Sequence, residues 1–382
     1  MAGELERHSL DVGFPIACIG VAPGGEVVLG GGGGLGRSGV QNKLAVYAVG
    51  GKKAAGLRLV SEAVLSSDED APTCLAVHPR ERALVCSVNR DRQRIARGAN
   101  TNWRLFTLQK RAVKAGATAR SICSTSDDDY QRCVAFSPSG ALVAGGATDG
   151  TLAVAHYPSL RPAFPFVGAD GEINDVAFDA SSAWVAAATD SELRILSAAD
   201  ASLVKAIDDP HMRGGGAAAF RFARFGPATD SDPHGALYTV LNVRARGKGA
   251  YIVQWDTASW TRSHTCYTGG SPITAFALSR SGRLLAFATA SLQIGICDAR
   301  SLRVLARIRA AHSFAITALA FDHADRHLIS GSADQTCNAF VLPAAWPTPA
   351  ARVLSIARAH AQAIAVALVL LIAIVLALAM RA

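Results

Sequence analysis

The chain has 382 residues and a formal net charge of +8; half of its residues are apolar and 18% are charged. That apolar share excludes an intrinsically disordered tail protein. The positive charge admits anionic partners, among them phospholipid headgroups, nucleic acid and an acidic protein face, and it equally describes an ordinary basic surface.

The opening stretch, MAGELERHSLDVG, is polar and lacks the long apolar core of a secretory signal, so the bulk of the chain is expected in the cytosol. From residue 16 onward one unit recurs: an apolar alternating strand, a polar turn, a small-residue strand and a third apolar strand. Weaker copies lie at 16–49 and 74–108, and clear ones at 132–157 and 174–196. Another begins near Ala218 and closes at YIVQWD (251–256), and two more occupy 273–298 and 316–342. Seven units at spacings of roughly 40 to 60 residues predict an all-β propeller of four-stranded blades over 1–342. A blade cannot bury both faces alone, so radial stacking must close the core. HSLDVGF (8–14) is the candidate strand to complete the last blade.

Insertions interrupt this pattern. SSDED (66–70) and SDDD (126–129) read as acidic turns, and SVNRDRQRIARGANTN (87–102) as a basic loop carrying Arg90, Arg92, Arg94 and Arg97. HMRGGGAAA (211–219) and RFGPATDSDPHG (224–235), rich in Gly or Asp, read as mobile. PAAWPTPA (343–350) opens a linker and juxtamembrane stretch, 343–362.

Residues 363–380, AIAVALVLLIAIVLALAM, contain no charged, Gly, Pro or polar side chain. At 1.5 Å per residue such a run spans about 27 Å, the hydrocarbon thickness of a thin bilayer such as that of the endoplasmic reticulum. A core helix would show a polar face, and this run has none. It is expected to be a single transmembrane helix. Arg352, Arg358 and His360 precede it and Arg381 follows, which predicts a cytosolic propeller and a tail-anchored topology.

The eight cysteines show no CxxC spacing, and most sit in apolar runs such as CLAV and LVCSV. They read as small buried hydrophobes in a reducing compartment. No HExxH, GxSxG or paired-carboxylate signature occurs, so no covalent chemistry and no catalytic residue are expected.

The most informative segment is LGGGGGLGRSGVQNKLAVYAV (29–49). Its glycines superficially match the dinucleotide fingerprint and, with Arg37 in place of the lysine, the Walker form. Both need a helix immediately after the loop, and KLAVYAV alternates as a strand. A glycine-rich blade loop is the plain reading, yet consecutive glycines carry an entropic penalty that an ordinary hairpin has no reason to accept. A loop that brings bare backbone close to a partner has one.

The blades resemble the WD-repeat family, through Trp255-Asp256 at a third-strand end, the Ser332–Thr336 turn and His312 before the last blade. That resemblance implies structural roles for Asp149, Asp190, Asp334 and His312. The segment GGGGG-L-G-R-S-G-V-Q-N-K in the first blade, together with a C-terminal anchor, further resembles the Sec-twelve-type exchange factors. These are endoplasmic-reticulum membrane proteins that load GTP onto the small Sar GTPase to start COPII coat assembly. The resemblance covers the whole architecture, with its specific motif confined to residues 30–43. It implies a seven-bladed WD-repeat β-propeller followed by a transmembrane helix. It also implies a GTPase-contact loop of Arg37, Ser38, Gly39, Val40, Gln41 and Asn42, some of which would pin the loop instead. A potassium ion would be held by main-chain oxygens of Gly33, Gly34, Gly36 and Gly39.

Other readings stay open at this point. The plant phosphate-transporter traffic facilitators share the Gly-rich, Arg-Ser-Gly loop and act at endoplasmic-reticulum exit without exchange. A membrane-tethered scaffold presenting its face to a peptide is the other. The arginines of 87–102 suit anionic lipid headgroups. Nucleic acid is not expected there, because no aromatic side chain interleaves with them.

Overall fold

The computed structural model describes residues 5–35, 38–50, 56–110, 112–208, 212, 216–245 and 247–346. The expected membrane span at 363–380 lies outside them, as does the linker from 347 onward. Among the described residues no helix is long and apolar enough to cross a membrane.

Seven antiparallel sheets make up the unit Leu5–Leu342. Blade 1 runs Ile16–Val21, Val27–Gly31, Lys43–Val49 and Leu57–Val64. Blade 2 runs Cys74–Val77, Ala83–Ser87, Trp103–Gln109 and Ala112–Ala119. Blade 3 has Gln131–Phe136, Leu142–Ala147 and Thr151–His156, and its outer strand is broken into Arg161–Pro162 and Val167–Gly168. Blade 4 comprises Asp175–Phe178, Trp184–Ala188, Glu192–Ser197 and Leu203–Asp208. Blade 5 comprises Ala218–Phe225, Leu237–Val243, Ala250–Asp256 and Thr261–Gly269. Blade 6 comprises Ile273–Leu278, Leu284–Thr289, Ile294–Asp298 and Val304–Ile308. Blade 7 holds Ile316–Phe321, His327–Ser332 and Thr336–Val341.

The first strands of successive blades adjoin in a ring, that of blade 7 against that of blade 1. The fourth strand of blade 7 comes from the other end of the chain. Arg7–Asp11 pairs antiparallel with it, Leu10 opposite Cys337 and Asp11 opposite Thr336. The expected closing segment is therefore right in place, shifted by one residue at its start and shorter by three at its end. It covers backbone groups that an open edge would expose.

In blade 3 the second strand, LVAGGA, carries small residues where its neighbours crowd it. A Cβ on Gly145 would lie 1.6 Å from Gln131 Nε2, and one on Gly146 2.3 Å from Ile173 Cγ2 of the next blade. Polar stitches then tie blade to blade. Thr73 Oγ1 donates to Gln131 O at 2.8 Å, Asn174 Nδ2 to Phe220 O at 2.9 Å, and Asn242 Nδ2 to Ile273 O at 3.0 Å. Thr274 Oγ1 donates to Ile316 O at 3.0 Å and Thr317 Oγ1 to Ile16 O at 2.6 Å. The pair Asp175–Arg224 adds a half-buried ionic link between blades 4 and 5.

The residues expected to be structural are so. Asp149 accepts the amides of Cys123, Ser124 and Thr151, and Asp190 accepts Asn174 Nδ2 at 2.8 Å. His312 is hydrogen-bonded to Thr336 Oγ1 at 2.7 Å and Ser330 Oγ at 2.6 Å, and Asp334 accepts the Ser313 amide at 2.7 Å. Burial pulls the Asp334 carboxyl upward, yet hydrogen bonds from Thr336 and Ser313, with His312 beside it, hold it well below the usual range. All eight cysteines are free; six are buried, Cys266 is half-buried and Cys123 is exposed.

One insertion differs from its reading as mobile. Residues 224 and 225 belong to a strand, and the loop beyond is tied down at several points. Asp232 accepts Thr257 Oγ1 at 2.9 Å, His234 Nδ1 lies 2.7 Å from Asp179 Oδ2, and the His234 ring stacks on Trp184 at 3.4 Å. Aspartates and a histidine make these contacts, and the composition alone does not reveal them.

Trp255 Nε1 donates to Thr239 Oγ1 at 2.8 Å, both side chains being buried. Trp255→Phe removes the donor and leaves a buried hydroxyl without it, at a cost of about 1–3 kcal/mol. A lowered Tm in a thermal melt is the expected result; an unchanged Tm would show that the bond adds nothing.

Candidate partner-binding site

The glycine run divides into a root and a loop. Gly30 and Gly31 end the second strand of blade 1, and their lack of a side chain is a packing requirement. A Cβ on Gly31 would sit 2.0 Å from Pro15 O, and one on Gly30 2.7 Å from Cys18 Sγ. The loop proper therefore begins after Gly31. Beyond the strand, Gly32 N donates to Pro15 O at 3.1 Å. Gly34 and Gly39 take φ of 75° and 77°, where a side chain is strained. The chain then re-enters the sheet at Lys43 as a strand. No helix begins there, so the exclusion of a nucleotide cradle holds.

Asn42 holds the loop in shape. Its Oδ1 accepts the Gly34 amide at 2.9 Å, while its Nδ2 donates to Gly34 O at 3.0 Å and to Glu69 O at 2.8 Å. Its own carbonyl accepts Leu65 N at 2.8 Å. With the side chain only 6% exposed, Asn42 pins the loop rather than reaching outward. Ser38, Gly39 and Gln41 are exposed at the tip, and Ser38 Oγ accepts the Val40 amide at 3.3 Å. Val40 is half-buried and packs on the apolar cluster of Phe14, Ile16 and Leu29. Gly36 and Arg37 lie outside the described residues.

A second layer comes from blade 2. Glu69, in the turn read as merely acidic, is 8% exposed. Its carboxylate meets Arg90 at 2.5 Å and Arg104 at 2.7 Å. Burial alone would raise its pKa, but the Arg104 hydrogen bond and charge, reinforced by Arg90, hold it below the ordinary 4.5. Asp70 N donates to Asn89 O at 3.1 Å, so the same turn is tied to the insertion as well. The main-chain carbonyl of Glu69 therefore offers Asn42 a fixed acceptor.

That insertion is not a plain loop, as its sequence was read. Arg92–Ala96 form a one-turn helix, α1, with Asp91 as N-cap accepting Arg94 N at 3.0 Å and Ile95 buried beneath it. Gly98, at φ 72°, ends it. Asp91 and Gly98 were the available signals for it. Nor are its arginines an unpaired patch. Arg90 is committed to Glu69, Arg92 pairs with Asp127 at 2.8 Å and Arg94 with Asp91 at 3.3 Å, while Arg97 is exposed. Glu69, Asp70 and Arg104 escaped sequence reasoning, since charge spacing does not tell which pairs close in space.

In chemical terms the site is a rigid display of peptide groups and short polar side chains. Among the described residues no group of three or more His, Cys, Asp or Glu is placed to hold a metal ion. Neighbouring loop atoms crowd Gly32 and Gly33 and leave no room for a Cβ. The space that a Cβ on Gly33 would take is 1.8 Å from Ser38 Oγ and 3.0 Å from Val40 O. The corresponding position at Gly32 lies 2.3 Å from Asn42 Oδ1 and 2.8 Å from Gln41 O.

Comparison with known proteins adds to this geometry. The family model for the WD domain, G-beta repeat, matches residues 119–154 and 302–340. SEC12-like protein 2 of Arabidopsis thaliana is 29% identical over 69% of this chain and 63% of its own length. Guanine nucleotide-exchange factor SEC12 of Candida glabrata is 26% identical over 87% of this chain and 71% of its own. The SEC12 exchange factor of Rattus norvegicus is 25% identical over 51% of this chain and 48% of its own. The chain thus spans about half to seven-tenths of the length of these relatives.

Asn42→Ala removes both side-chain bonds to Gly34, and Asn42→Asp sets a carboxylate oxygen against the carbonyls of Gly34 and Glu69. In both, amide exchange of the 32–42 segment should quicken about tenfold or more, an opening made easier by about 1.4 kcal/mol. Mass-spectrometric hydrogen exchange reads this directly, and exchange rates equal to those of the wild type would show that Asn42 does not hold the loop. Glu69 tests the second layer through pH. Its folded pKa is depressed, so its contribution is present above the unfolded value and is lost as pH falls through the folded one. Glu69→Gln should melt below the wild type at pH 7, and the gap should close as pH drops below about 4.5. A gap that does not vary with pH would exclude an ionic clamp.

Proposed function

We propose that this chain, a WD-repeat propeller of the SEC12 type, is a guanine nucleotide-exchange factor for a small Sar-type GTPase. On this reading residues 363–380 anchor it in the endoplasmic reticulum membrane, the propeller faces the cytosol, and exchange initiates COPII vesicle budding. The observation that carries the reading is the glycine loop: a solvent-facing strip of backbone held rigid by Asn42 and Glu69, in a chain similar to SEC12 exchange factors.

Exchange breaks no covalent bond. The factor must bind the nucleotide-free GTPase more tightly than the loaded form. Each tenfold gain in GDP release needs about 1.4 kcal/mol of preferential stabilisation of the release transition state. A pre-formed loop serves this end, because ordering it on binding would consume the same free energy. Ser38, Gly39 and Gln41, exposed at its tip, are the contact residues on this reading, with Val40 partly available and Arg37 next in sequence.

A hard monovalent cation takes neutral oxygen ligands, which bare glycine carbonyls offer without side-chain bulk. Main-chain oxygens of Gly33, Gly34, Gly36 and Gly39 would hold potassium. The ion would supply a positive centre that stiffens the loop.

The Arabidopsis relative carries the name SEC12-like rather than exchange factor, which supports a second reading. On it, the chain is a non-exchanging accessory for exit of a phosphate transporter from the endoplasmic reticulum. Release of a fluorescent GDP analogue from a purified Sar-type GTPase separates the two. The full chain in detergent should accelerate release, and Asn42→Ala should slow it about tenfold or more. No acceleration at saturating protein would remove the exchange reading.

A further inference from the structure

The exposed large apolar side chains of the described residues fall into two groups. Leu59, Val64, Leu203, Val204 and Tyr267 lie on outermost strands, around the circumference of the ring. Tyr130 and Phe314, 38% and 63% exposed, stand in connections that lead from one blade into the first strand of the next. In an antiparallel blade these connections open on the same face as the links between second and third strands. The glycine loop and the α1 insertion are two such links. Phe314 therefore shares a face with the glycine loop, one blade away.

The two blades are also stitched together at the entrance of blade 1. Gly32, at the root of the loop, donates to Pro15 O at 3.1 Å. Thr317, three residues beyond Phe314, donates to the adjoining carbonyl, Ile16 O, at 2.6 Å. Adjacent peptide groups of one strand entrance thus hold the glycine loop and, through Thr317, the first strand of blade 7 that follows Phe314.

Lone exposed apolar residues are ordinary on protein surfaces, but the setting of Phe314 is not. Main-chain groups at three consecutive positions are fixed: Ser313 N to Asp334 Oδ2 at 2.7 Å, Phe314 O by Ser332 Oγ at 3.1 Å, and Ala315 O by Ala333 N at 3.0 Å. The turn rests on the buried His312–Ser330–Thr336–Asp334 network. A rigid backbone presenting a ring with few rotatable bonds loses little entropy on association, and buried aromatic anchors dominate binding energy.

We propose that Phe314 is an apolar anchor of the docking surface, its ring entering an apolar pocket on the same small GTPase that the glycine loop grips. The inference rests on the exchange-factor reading and adds an apolar contact, on blade 7, to a polar one on blade 1. It commits to the GTPase as occupant because Phe314 opens on the same face as the loop, one blade away, rather than on the circumference.

The test uses the full chain in detergent and a nucleotide-free Sar-type GTPase, with Kd measured by biolayer interferometry. Phe314→Ala should weaken binding about tenfold or more, and Phe314→Leu should restore part of the loss. Leu203→Ala, which removes a side chain of similar exposure from the circumference, should leave Kd unchanged. Wild-type affinity in Phe314→Ala, alongside weakened binding in Asn42→Ala, overturns the anchor and leaves the exchange reading standing. No binding by the wild type removes both. Unchanged GTPase affinity with lost self-association in sedimentation assigns the ring to a second copy. Unchanged affinity with lost flotation on phosphatidylcholine–phosphatidylserine vesicles assigns it to a bilayer, and either result overturns the proposal.

Discussion

Closure of the ring at the seam between blades 7 and 1 sets the geometry of everything above it. The strand Arg7–Asp11 completes blade 7. The chain then turns at Gly13, buries Phe14 without exposed surface, and delivers Pro15 and Ile16 to the entrance of blade 1. One short covalent run thus closes the sheet, packs Phe14 and Ile16 into an apolar seam with Leu29 and Ile329, and offers the Pro15 carbonyl that roots the glycine loop. Stability and display are produced by the same residues, so a disturbance at the seam reaches both.

Beyond the seam, rigidity comes in layers. Gly30 and Gly31 fit because the backbone of Pro15 and the Cys18 thiol leave no room for a Cβ. Asn42 then braces the loop against Glu69, and Glu69 is itself held by two arginines of blade 2. Each layer comes from a different part of the chain. A loop supported this way can be rich in glycine and still keep one shape, which is the condition under which bare backbone can serve as a recognition surface.

Seven units were legible because their inner strands alternate apolar and small residues with period two, as in RCVAFSPSGALVAGGA. The outermost strands were not, since Thr261–Gly269 is exposed along most of its length and carries no such signal. Exclusion of a nucleotide cradle followed correctly from KLAVYAV, whose alternation foretells a strand. The division of the glycine run into root and loop was hidden, because only the neighbouring Pro15 carbonyl reveals it. Likewise the acidic turn and the basic insertion looked like separate solvated charges. Glu69 and its partners Arg90 and Arg104 are 21 and 35 residues apart, a separation that the fold closes and that composition does not record.

The contrast between the tip and the root of the glycine loop has an evolutionary consequence. Ser38 and Gln41 are exposed at the tip, so exchanges there can retune partner choice at small structural cost. Gly31 and Asn42 are interlocked with neighbouring segments and leave no such latitude. Diversification among related propellers should thus run along the crest of the loop while its base stays invariant, letting one scaffold acquire new clients without relearning how to fold.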